Sequence, residues 1–101
     1  MLYHVSPIRN HTSIVKSGVD PALARSRFHA SWWVTSEKLA WALAHCSVRH
    51  NVIVTDLEVW FKRPITFKRQ TRTRWAGVYT SRCNNHPDGF MSAQEALEAM
   101  K

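Results

Sequence analysis

Apolar positions along this chain change their spacing several times, and each change marks an element. Leu2, Tyr3 and Val5 have the apolar, pleat-loving character of a strand, which Ser6-Pro7 should end because proline cannot extend a ladder. A short helix containing Ile14 and Val15 comes next, with Asn10, Thr12 and Ser13 all suited to its N-cap and Gly18 to its stop. Val19-Asp20-Pro21 reads as a cap followed by proline at the first helical position, leading into a turn through Ala22, Leu23 and Ala24. After the basic Arg25-Ser26-Arg27, the run Ala30-Ser31-Trp32-Trp33-Val34 suits a second strand.

Leu39, Ala42, Leu43 and Cys46 then recur at the i, i+3, i+4, i+7 spacing of a buried helix face. Thr35 stands where a cap is needed, and the helix should fade near Arg49-His50-Asn51. Strand character returns over Asn51 to Trp60, over Pro64 to Lys68 and over Arg74 to Thr80, where Gly77 suggests a bulge. Asn84 to Gly89 is loop by composition. Ser92 and Glu95 make a capping box for a closing helix containing Ala93, Leu97 and Met100. This order of elements is α+β.

The chain has 101 residues, which predicts one small domain, 1–101, with a single core. An apolar share of 45% with five tryptophans predicts a packed globule. No apolar run is long enough to span a bilayer, and the histidine and proline near the start do not suit a signal peptide. A cytoplasmic location with no membrane partner is the expectation. Cys46 and Cys83 are then expected as two reduced thiols, one in a helix and one in a loop.

Charge changes the picture most. The formal net charge is +7, and no acid falls between Glu58 and Asp88, where Lys62, Arg63, Lys68, Arg69, Arg72, Arg74 and Arg82 all lie. Phe61, Phe67, Trp75 and Tyr79 interleave with those cations. Cations that follow phosphates and rings that stack on bases are what a single-stranded nucleic-acid surface needs, so Lys62, Arg63, Lys68, Arg69, Arg72 and Arg74 are candidate contacts. A two-faced sheet with aromatics inside and cations in water would show the same mixture.

Leu2-Tyr3-His4-Val5, then Asn10, Ser13-Ile14 and Gly18, resembles the opening of the ADP-ribosyltransferase superfamily, most closely the bacterial toxins that modify thymidine in single-stranded DNA. The resemblance implies a split antiparallel β-sheet with a few short helices, NAD as cofactor, and transfer of ADP-ribose to a nucleic acid or protein. It implies that His4 contacts the ribose beside nicotinamide, and that Trp32 or Trp33 supplies the stacking ring. Strand alternation allows only one of the two to face a ligand. The catalytic glutamate that active members carry on a late strand has no counterpart between Arg74 and Ser81. No catalytic residue is therefore assigned; Glu58 is an outside candidate whose ordinary reading is a solvated strand residue.

Two other readings stay open. Cys46-x3-His50 with Cys83-x2-His86 offers four zinc-compatible side chains, but at spacings that match no zinc knuckle, so no metal is assigned. A non-enzymatic basic module that binds nucleic acid or another protein would account equally for the charge.

Overall fold

In the computed structural model, residues 1–24, 29–74 and 77–101 are described. The basic residues 25–27 and the Trp75 ring, singled out by charge and aromatic character, lie outside them.

Strand β1 (Leu2–Pro7) opens the chain and runs through the proline, where it pairs with Leu57. A 3-10 turn at Ile8–Asn10 leads into helix α1 (His11–Ser17). Asn10 is the N-cap residue, but it makes no side-chain capping bond and donates its side-chain amide to Ser6 Oγ at 3.1 Å. Gly18 does stop the helix, donating its N–H to Ile14 O at 2.8 Å, and its φ of 73° is one that side-chain-bearing residues avoid. Asp20 caps the turn Pro21–Leu23 through Oδ1, which accepts from Ala22 N at 2.8 Å.

Strand β2 (Ser31–Trp33) and a 3-10 turn at Ser36–Lys38 precede helix α2 (Leu39–His50). Leu39, Leu43 and Cys46 are buried as the stripe requires, and Asn51 ends the helix in the left-handed conformation that asparagine tolerates. Strands β3 (Leu57–Lys62), β4 (Gln70–Arg72), β5 (Tyr79–Ser81) and β6 (Gly89–Ser92) follow, then helix α3 (Ala93–Ala99). The capping box forms its main bond, with Ser92 Oγ accepting from Glu95 N at 3.1 Å.

The later strands differ from expectation. Asn51 to Trp60 is not one strand; a 3-10 turn at Val54–Asp56 intervenes before β3. Pro64 to Lys68 is a 3-10 turn at Pro64–Thr66, because proline suits a first helical position better than a ladder. Of the described residues in Arg74 to Thr80, Tyr79 and Thr80 are strand, and residues 75–76 of that expected strand lie outside those described. Thr73 N instead donates to Val78 O at 3.1 Å, closing the hairpin between β4 and β5. Gly89, expected as loop, and Ser92, expected as a cap, bound a strand that pairs with β3.

The result is an α+β domain of two antiparallel three-stranded sheets, β1-β3-β6 and β2-β5-β4. Among the described residues they are joined where Tyr3 and Val34 exchange backbone hydrogen bonds of 2.8 Å. Tyr3, Val5, Leu57 and Val59 meet α2 and α3 on one side, together with Val34 and Val78. Leu2, Trp33 and Trp60 meet Ile14, Val19 and Phe67 on the other. A buried aliphatic side chain contributes roughly 1.5–3 kcal/mol, so both faces of this sheet stabilise the fold. Among the described residues no helix is long and apolar enough to cross a membrane.

Candidate functional site

Cross-strand register aligns six residues in one row over both sheets. Arg72 pairs with Tyr79 and Tyr79 with Trp33. The Tyr3–Val34 bridge sets His4 beside Trp33, ring centroids 5.4 Å apart. His4 in turn pairs with Trp60, and Trp60 with Phe90. Residues opposite one another in neighbouring strands share a face, so the row Arg72–Tyr79–Trp33–His4–Trp60–Phe90 lies on one side.

His4 sits in this row where the two sheets join. Its Nδ1 lies 2.8 Å from Trp32 O. A carbonyl only accepts, so Nδ1 carries the proton and Nε2 is left as an acceptor. Burial holds the ring's pKa below the usual 6.5, while the bond to Trp32 pulls weakly the other way. His4 is therefore a neutral, oriented imidazole at physiological pH.

The two tryptophans separate as strand alternation requires. Trp33 shares the face of His4, but its exposure is 0%, its Nε1 donates to Ser31 Oγ at 3.1 Å, and the Phe67 edge closes on it at 5.1 Å. It is a core residue with no free ring face for a ligand. Trp32 is half-buried and points away from His4. The structure thus does not join His4 with either tryptophan in a stacking pocket. On the His4 side Phe90 is 53% exposed, while Tyr79 is half-buried against the core with the exposed Arg72 guanidinium 5.8 Å from its centroid.

Glu58 is not a solvated strand residue. It is 5% exposed, and both carboxylate oxygens accept from His11 Nδ1, at 2.9 and 3.1 Å. The His11 ring in turn packs at 5.2 Å from Trp60 and 4.8 Å from Phe90. Glu58 pairs with Ser6, which puts it on the His4 face two positions along the ladder. Its burial is invisible in the sequence because α1 supplies the partner from 47 residues away.

The basic residues also divide. Lys62 is 8% exposed and donates Nζ to His86 O at 2.7 Å, so it braces the loop before β6 and is not a surface contact. Arg63 is tied to Asp88, Nε to Oδ2 at 3.5 Å, and donates its backbone N–H to the same carboxylate. Lys68, Arg69, Arg72 and Arg74 are exposed on or beside β4. Arg82, just after β5, is exposed as well.

Cys46 is buried on α2 and its Sγ lies 3.8 Å from Val5 O, while Cys83 is half-buried after β5; both are free thiols. Among the described residues no three of the His, Cys, Asp and Glu side chains are grouped to hold a metal.

Comparison with protein-family models, curated proteins and solved structures gives no match to this chain.

Proposed function

We propose that the chain is an ADP-ribosyltransferase-like domain that binds NAD or a related nucleotide on the His4 face, where its two sheets join. The observation that carries this reading is His4 itself: a neutral imidazole beside the Tyr3–Val34 bridge between the sheets, with Nδ1 committed to Trp32 O and Nε2 left to accept a ribose hydroxyl. The division into two antiparallel sheets agrees with the split sheet that the opening motif implies. On this face Tyr79 offers a ring to a flat heterocycle and Arg72 a guanidinium to a phosphate.

Strand β5 brings no carboxylate to His4, and Glu58 is engaged by His11. The reading is accordingly one of nucleotide binding, with transfer to a nucleic acid or protein as the activity to be assayed beside it. NAD titration followed by tryptophan fluorescence tests it, on the wild type and on His4→Ala and Arg72→Ala. Saturable quenching that both substitutions weaken is the expected result, and nicotinamide released in the same samples reports transfer. An absence of response at millimolar NAD, or equal binding by wild type and His4→Ala, refutes the reading.

A second reading has its own observation. Lys68, Arg69, Arg72 and Arg74 cluster exposed on one edge strand and its flanks, as a basic nucleic-acid-binding module would require.

A further inference from the structure

The face of β2 turned away from His4 carries features that the His4 site does not use. Trp32, Thr80 and Thr71 stand side by side there in register across β2, β5 and β4. With Ala30, Thr73 and Arg82 they line a hollow of about 140 Å³. A neighbouring hollow of about 330 Å³, lined by Arg72, Thr73, Arg74 and Gly77, shares Thr73 with it. No acid lines either one.

Trp32 is half-buried, and its Nε1 is a buried donor with no partner among the described residues. Trp60 Nε1 on the His4 face is in the same state, so the Trp32 edge that lines the hollow, and not its sealed N–H, is what the surface offers. Thr80 Oγ1 donates to Thr71 O at 3.0 Å, which leaves its lone pairs free to accept. Arg82 at one end and Arg74 at the other are exposed.

We propose that this surface is a second nucleotide-binding site, centred on the face opposite His4 and meeting the His4 face at Arg72. A base packs against the Trp32 indole, and the phosphate is held by Arg82. The shared Thr73 connects this subsite to the Arg74 hollow, so that the phosphate of an adjoining unit reaches a second guanidinium. An aromatic surface beside guanidinium groups suits a nucleotide unit, because every base has a π face and every phosphate is a bidentate acceptor for arginine. The unit is either a free nucleotide or one link of a single strand.

Fluorescence anisotropy of a fluorescein-labelled ten-nucleotide oligo-dT tests the site, with wild type, Arg82→Ala and Trp32→Leu, and with unlabelled dTMP as competitor. Wild type should bind with an affinity that falls as salt rises, and each substitution should weaken it about fivefold or more. Displacement by dTMP assigns the pocket to a free nucleotide; retention of the oligomer in excess dTMP assigns it to a strand. Circular dichroism establishes that Trp32→Leu is folded, and Arg82→Ala, at an exposed position, gives the result independently of that. Equal binding by wild type and Arg82→Ala, or no binding of either probe to the wild type, overturns the proposal. Oligo-dT binding by His4→Ala is expected to match wild type, because His4 lies on the opposite face, which keeps failure of this site distinct from failure of the His4 site.

Discussion

Replacing Glu58 by alanine tests the least expected feature of the fold. Its side chain is 7% exposed and both oxygens meet His11 Nδ1, while the His11 side chain is 36% exposed. A hydrogen bond involving a charged group contributes about 1.5–3 kcal/mol. Water can reach His11 after the truncation and recover part of that, which lowers the expected cost to roughly 1–2.5 kcal/mol. Urea denaturation read by tryptophan fluorescence measures it, with Glu37→Ala as the control. Glu37 is exposed in the Ser36–Lys38 turn, so its loss should stay within about 0.5 kcal/mol. A double-mutant cycle with His11→Ala isolates the pair, and a coupling of about 0.5–1.5 kcal/mol is expected. Glu58→Gln, which keeps an acceptor in place, should cost less than Glu58→Ala. A Glu58→Ala loss no larger than that of Glu37→Ala, or a coupling of zero, would refute the account of α1 being tied to β3 through this carboxylate.

Three further outcomes are expected. Gly18→Ala should lower stability by about 1–3 kcal/mol from its backbone conformation alone; a Cβ there would also lie 2.6 Å from Asn85 O, and an unshifted urea midpoint would contradict that packing. The depressed pKa of His4 means that the unfolded chain takes up its proton first as pH falls below 6.5, so stability contributed by the neutral ring is present above that pH and lost below it. His4→Gln should flatten the acid limb of a stability–pH curve, and a limb identical to wild type would count against the assignment. Burial pushes the Cys46 thiol above its usual pKa, with Arg49 and Arg9 opposing weakly, so Ellman's reagent should label the half-buried Cys83 well before Cys46 in the native protein; equal rates would show α2 packed more loosely than described.

Several local features are legible in the sequence because their physics is local. The α2 stripe, the Ser92 cap, the Asp20–Pro21 turn and the glycine stop each depend on residues within one or two turns of one another. The alternation of Trp32 and Trp33 is equally plain, since a strand must send neighbours to opposite faces. Which of them is sealed depends on β2 lying between β1 and β5, with Phe67 arriving from a turn whose composition resembles a strand. Short strands such as β4 and β6 carry too little pattern of their own; their partners define them, through pairing with β5 and β3.

The candidate residues divide in the same way. Sequence alone supplies a histidine in a first strand, a pair of tryptophans before a helix, and a basic stretch without acids. Tertiary structure decides that His4 and Trp32 lie on opposite faces, that Lys62 and Glu58 are internal, and that Lys68, Arg69, Arg72, Arg74 and Arg82 stay exposed. Charge and hydropathy are properties of one residue, but burial and orientation belong to a register between distant strands. Only closing that register shows which side chains water still reaches.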